Sequence, residues 1–220
     1  MASAATSKKT GHTRERIVAA AEKLFAEKGF RAMTLRDVTH EAGVNLAAVN
    51  YHFGSKRDLM RAVIRSHFEP INTARIERLD ALVAEHQPHS IPLEAIFYAL
   101  FSPLFEFATL KDGTIHHSLI QLIGRSITEP AAFVRTMHNE FFLEPSRLFI
   151  QQLHRTCSDL PEEEIQYRFF FATSTLIGTI VKQSRLEMIS ENKLSGQDTE
   201  PLLKHLVAFT VSGFRQGNAQ

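Results

Sequence analysis

The sequence predicts an all-α protein with a small N-terminal three-helix head of helix-turn-helix type and a larger helical body. Three observations carry this. Apolar residues recur at helical spacing throughout, and no stretch alternates as a strand would. Within 23 residues, Thr34 to Lys56, two short helices, a glycine turn and the start of a third follow in order. Charge is also divided: residues 1–65 carry 12 Lys+Arg against 6 Asp+Glu, and the rest carry 13 against 18. A basic front suits phosphate, and an acidic rear points to a different task.

Residues 1–12 are small, polar and basic, and read as a flexible arm. Over 13–28, Ile17, Ala20, Ala21, Leu24 and Phe25 share one helical face, with Thr13 as N-cap and Gly29 as the stop. Thr34 with Asp37 is a capping-box pair opening the next helix. Gly43 stands where that helix must end, since glycine takes the left-handed conformation freely. Asn45 caps the following helix, Leu46 to His52, which Val49 and Phe53 anchor. Such a second helix enters the DNA major groove. The head therefore spans 13–65 and the body 66–220.

Ser55 and Asp58 form another capping box and open a long helix through Leu59, Val63, Ile64 and Phe68. Pro70 kinks or interrupts it before Ile76, Leu79, Leu82 and Val83 resume the stripe. Residues 87–92, with two prolines, form a loop. Helices follow at about 93–110, 114–127, 129–157 (with Pro145 a candidate break), 161–190 and 200–216. Pro161 before Glu162, Glu163 and Glu164 places proline and acids at a helix start.

Composition excludes several classes. At 44% apolar residues, the chain can build a sizeable core. The single Cys157 cannot form an internal disulfide and fits a reducing cytoplasm as a small helical residue. No apolar run reaches the roughly 20 residues of a membrane span, and no segment marks the chain for export. A cytoplasmic protein is expected. There is no nucleotide-binding glycine loop, and no Ser–His–Asp or Cys–His arrangement that spacing reveals. His116 and His117, adjacent on a helix, point about 100° apart and suit no common metal. No enzyme activity, cofactor or metal is expected.

The segments Ala20–Phe25, Gly29-Phe30, Thr34–Arg36, Ala42–Val44 and Tyr51–Lys56 resemble the DNA-binding domain of the TetR family of bacterial repressors. The resemblance implies a double-stranded operator, a homodimer and an effector held in the body. It places Lys56 against a phosphate at a helix start. Tyr51 and His52 fall at the end of the recognition helix, and Thr34 serves as cap and phosphate contact. Arg36 matches a base-reading position, where a bidentate guanine contact supplies about 1–3 kcal/mol of discrimination. Asn45, Leu46, Ala47, Ala48 and Asn50 complete the DNA-contacting set. Asn50 stands where many members carry tyrosine, so the operator is not transferable from a relative. Arg14 and Arg16 read as solvated charge, as do Lys8 and Lys9, which a flexible arm would also bring to phosphate.

Phenylalanine is concentrated between 97 and 171. Most of it reads as core, and so many rings also suit an apolar pocket between helices. The last two long helices bear broad apolar stripes with small residues, and the family resemblance pairs them across a two-fold axis. Ala172, Leu176, Gly178, Leu203, Leu206 and Phe209 are the expected dimer residues.

Residues 70–80, 123–130 and 160–168 resemble the fatty-acid-responsive, PsrA-like subgroup, implying a long-chain fatty acid or acyl thioester as effector. Phe101, Phe105, Phe142 and Phe171 are then candidate pocket walls. Arg125 and Arg168 are candidate head-group cations, with His117 and Gln121 as neutral donors. The implied function is a ligand-released repressor with no membrane partner. A constitutive regulator or an activator without effector is the alternative.

Overall fold

The computed structural model describes residues 2–110, 116–129 and 132–215, with side chains from residue 12 onward except at 133–135 and 138. Ten α-helices run through the described residues: α1 Ala2–Ala32, α2 Leu35–Ala42, α3 Leu46–Phe53, α4 Lys56–His86, α5 Leu93–Ala108, α6 His117–Thr128, α7 Ala132–Thr156, α8 Glu162–Val181, α9 Ser184–Ile189 and α10 Thr199–Arg215. None of them is long and apolar enough to cross a membrane.

Two compact units emerge, and their boundary differs from the one expected near residue 65. Met1–Glu69 and Ser118–Phe141 form one unit; Pro70–His117 and Phe142–Gln220 form the other. Residues 118–141, assigned from sequence to the body, thus belong with the head. Helix α4 is shared, and the division falls at Pro70, which lies inside an uninterrupted helix. Proline there has no N–H for the carbonyl of Ser66, so the helix is weakest at that turn.

In the first unit α1, α2 and α3 pack mutually around Ile17, Ala21, Phe25, Val38, Val49 and Met60, all buried. The arm expected over 1–12 is helical from Ala2, so Thr13 lies inside α1 and is not its cap. The alanines at 2, 4 and 5 favour that extension. The side chains of Lys8 and Lys9 lie outside the described ones. Gly29 breaks α1 with φ 76° and ψ 172°, a conformation favouring glycine. Leu119, Leu122 and Ile123 turn α6 inward.

The second unit is held by aromatic and aliphatic packing. Helix α10 lies against α5 and α8, with the Phe97 and Phe214 rings 4.9 Å apart. Pro145 sits within an unbroken α7. The helix expected over 161–190 is divided in two, at Val181 and Ser184. There the backbone of Gly196 approaches so closely that a Cβ would lie 2.3 Å from the carbonyl oxygen of Gln183. That approach comes from the 191–198 loop, a contact no local pattern announces.

Candidate nucleic-acid interface and effector cavity

The helix-turn-helix is built by short-range hydrogen bonds. The Thr34 hydroxyl accepts from the Asp37 N–H (3.1 Å), and the Asp37 carboxylate accepts from the Thr34 N–H (2.9 Å). The Thr34 N–H first, and then the Thr34 hydroxyl, hold the Asp37 carboxyl below its ordinary 3.8. Gly43 ends α2 at φ 60° and ψ 42°, its N–H returning to the carbonyls of His40 and Thr39. Arg16 on α1 donates to the carbonyls of Ala42 and Gly43. Its position suggests solvated charge, and the structure makes it the clamp on the turn. The Asn45 side chain accepts from the Ala48 N–H at 2.8 Å and opens α3.

Those caps aim α3. Val49 and Phe53 are buried as expected, whereas Asn45, Leu46, Ala47, Asn50 and Tyr51 are exposed. Tyr51, at 79% exposure, is no packing residue; its ring meets the half-buried His52 edge-on at 5.2 Å. Ala48 is half-buried, while Thr34 and Arg36 are exposed at the start of α2. Lys56 is half-buried, with its ammonium 4.3 Å from the Phe30 ring centroid. Burial pushes its pKa down against the opposing pull of Glu129 and Asp37. It lies folded inward at the first residue of α4.

Beside this surface, α6 is fastened to the end of α1. Arg125 donates to the carbonyls of Ala26 and Glu27, each at 3.3 Å. The buried Glu129 carboxylate accepts from the Phe30 N–H at 3.0 Å. Arg125, expected as a head-group cation, serves a helix terminus here.

Most other expected effector residues also have other roles. Phe101 and Phe105 are plain core. His117 and Gln121 face outward. Arg168 pairs with Glu164 at 2.7 Å and donates to the carbonyls of Gly213 and Phe214 at the end of α10. Phe171 is exposed and, with Arg168, lines an open depression on α8 and α10.

Only Phe142 lines the enclosed cavity of the second unit. That cavity, about 20 Å³, lies among α4, α5, α7 and α8, with Leu100, Phe169, Leu176 and Ile177 as further apolar wall. Arg75 also lines it, and its own side chain is 2% exposed. Sequence reasoning missed it. The readable signal was an arginine in the i, i+4 series Ile71, Arg75, Leu79, an apolar face of α4. A larger groove of about 1060 Å³ is open and bordered by ion-paired side chains, Arg78 with Glu106 and Arg215 with Glu94.

The expected dimer residues divide. Ala172, Leu176, Leu203 and Leu206 are buried within the chain: Leu176 faces the cavity among α4, α5, α7 and α8, and α10 lies against both α5 and α8. Gly178 is half-buried with nothing close to its Cβ position. Phe209 is 70% exposed, and Tyr167, Phe170 and Phe171 on α8 are exposed too.

Residues 17–63 match the family model described as bacterial regulatory proteins, tetR family, and residues 98–213 match the tetracyclin repressor-like C-terminal domain. The transcriptional dual regulator CecR of Shigella flexneri is 27% identical over 175 residues, covering 76% of this chain and 74% of that one. The regulator SrpR of Pseudomonas putida is 30% identical over 132 residues, 54% of this chain and 58% of its own length. Among solved structures, the fatty acid degradation regulator FadR of Bacillus halodurans superposes with a TM-score of 0.62 at 15% identity, covering 93% and 97% of the two chains. A putative fatty acid metabolism regulator of Clostridium perfringens gives 0.62 at 18% identity, covering 90% and 97%. At those identities the structural likeness speaks for the fold alone. With head and body both matched, this chain belongs to the TetR family of transcriptional regulators.

Proposed function

We propose that the protein is a homodimeric repressor that reads a palindromic operator with α3 and leaves it when an apolar effector enters the body. The observation that carries this is the α3 surface. Its caps expose Leu46, Ala47, Asn50 and Tyr51 together, while Val49 and Phe53 fix the helix from behind. One such helix reads too few base pairs for useful specificity, and a dimer presents two at half-sites about 34–36 Å apart. Exposed aromatic residues on α8 and α10 supply the apolar surface for that pairing.

The resemblance of residues 70–80, 123–130 and 160–168 to a fatty-acid-responsive subgroup supports a long-chain fatty acid or its acyl thioester as effector class; two neighbours named as regulators of fatty acid degradation and metabolism share the fold. Coupling of about 1–3 kcal/mol between effector and operator would lower operator affinity roughly 5- to 150-fold. Helix α4 carries Lys56 near one end and Arg75 in the cavity wall, so an effector acts on the element that begins at the DNA face.

One observation favours the second reading, a regulator with no effector. The enclosed cavity holds about 20 Å³, room for roughly one water molecule. Fluorescence anisotropy on DNA flanking the gene, with and without fatty acids and acyl thioesters, separates the two. Nanomolar binding relieved by an acyl ligand establishes the sensor. Tight binding indifferent to the whole panel establishes the effector-free regulator, and absence of binding overturns both.

A further inference from the structure

A charge with no counter-charge among the described residues is buried in the second unit. The Arg75 guanidinium, 2% exposed, has two hydrogen bonds among the described residues. Its Nε donates to the Leu100 carbonyl at 2.8 Å, and its Nη1 donates to the Asn72 side-chain oxygen at 3.1 Å. Guanidinium offers five N–H donors in a planar fork, so three remain. No carboxylate pairs with it among the described residues. Burial alone pushes its pKa down, to about 10, which leaves it charged at neutral pH. Arg78, one turn further on, shows the ordinary arrangement: partly exposed, it grips Glu106 with two parallel bonds of 2.9 and 2.6 Å. Burying an arginine without an anionic partner carries a large desolvation cost. Among the described residues no such partner stands beside Arg75.

What surrounds the fork selects the partner. The Phe142 ring lies with its centroid 5.9 Å from the guanidinium carbon. The rest of the wall is apolar (Leu100, Pro145, Phe169, Leu176 and Ile177) apart from Ser146 and Thr173, and the Thr173 hydroxyl donates to the carbonyls of Phe169 and Phe170. One cation and a serine hydroxyl among otherwise apolar walls match a single negative charge on an apolar body. A phosphate dianion would leave charge unmatched, and a planar carboxylate fits the fork bidentately. An acyl thioester has no carboxylate at its reacting end.

We infer that Arg75 is the residue that recognises the effector, and that the effector is an apolar monocarboxylic acid whose head group pairs with the guanidinium in this cavity. The inference rests on the effector-responsive reading given above. The cavity is too small for an alkyl chain as it stands, so binding displaces Phe142 or Phe169 and opens the seam between α7 and α8.

The test uses the full chain and displacement of the fluorescent polyene cis-parinaric acid. Saturated acids of 8 to 18 carbons compete in parallel with the alcohol and the coenzyme A thioester of the same length. For at least one length, the acid is expected to compete tenfold or more better than both. Arg75→Met should remove that preference while leaving the alcohol unchanged, and Arg75→Lys should keep part of it. Equal competition by acid and alcohol, no competition by any acid, or a preference surviving in Arg75→Met overturns the inference. Because the comparison in the unsubstituted chain needs no variant, a misfolded Arg75→Met leaves the test decisive. Operator binding measured beside it separates the two claims. Release by an uncharged ligand only would keep the regulator and remove the acid. Acid binding without any operator affinity would do the reverse.

Discussion

Thr34 and Asp37 illustrate how much of the head rests on single side chains. The reciprocal bonds between them satisfy orphan donors of the first turn of α2. Thr34→Ala should lower stability by about 1 kcal/mol, read as a shift in the urea midpoint. The pair also makes the head sensitive to acid. Because the native Asp37 carboxyl titrates below its ordinary 3.8, its contribution is complete above that value. It is lost as pH falls through the lowered native one. The stability gap between the natural chain and Asp37→Asn should therefore be widest at neutral pH and close as pH drops below 3.8, followed by thermal unfolding at each pH. Gly43 carries two constraints, a left-handed backbone and an Arg16 nitrogen 2.8 Å from any added Cβ. The first alone makes Gly43→Ala destabilising by about 1–2 kcal/mol. An unchanged melting temperature would contradict this account of the turn.

Among the elements, α6 has the clearest dual character: a helix assigned by sequence to the body and fastened to the end of α1. Its two attachments are unequal. Glu129 is 5% exposed and its carboxylate accepts from the Phe30 N–H at 3.0 Å, so its removal takes that bond from a part-buried donor. Glu129→Ala should destabilise the first unit by about 1–3 kcal/mol and speed amide exchange at Phe30. Arg125 is exposed and its bonds are longer. Arg125→Ala should alter stability by less than about 0.5 kcal/mol. If the proposed coupling runs through this junction, both variants change the operator response to effector, and Glu129→Ala changes it more. Anisotropy titrations with and without ligand compare them directly.

At the scale of the whole molecule, the proposed dimer rests on the uncovered aromatic face. Phe170, Phe171 and Phe209 are all exposed in the isolated chain, and burying a phenylalanine contributes about 1.5–3 kcal/mol. Phe209→Glu would place a charge in that surface and should convert a dimer to a monomer in sedimentation equilibrium. Operator affinity should then fall by tenfold or more, while the helical circular dichroism is retained. A variant that stays dimeric would move the interface elsewhere. Operator binding should also weaken steeply with salt, since each phosphate neutralised releases counterions.

The legible parts of this protein are those whose causes lie within a few residues. Thr34, Gly43, Asn45 and the spacing of Val49 and Phe53 act within one or two turns, and the helix-turn-helix follows from them with boundaries near those observed. Arg16 and Arg75 were not legible in the same way, because a guanidinium reaches carbonyls 25 to 27 positions away. The same holds for α8, apolar on more than one side. Periodicity gave its helical character and left open which side turns inward. Local pattern is enough for α2 and α3 with their caps, since hydrogen bonds and steric preferences of that kind act within a turn or two; it misses the helix over residues 2–12 and the division between α8 and α9. That Leu176 is core and Phe170 surface, that α6 belongs with the head, and that Arg75 stands in a cavity with no counter-charge among the described residues follows only from the packed chain, because burial is a property of distant segments brought together.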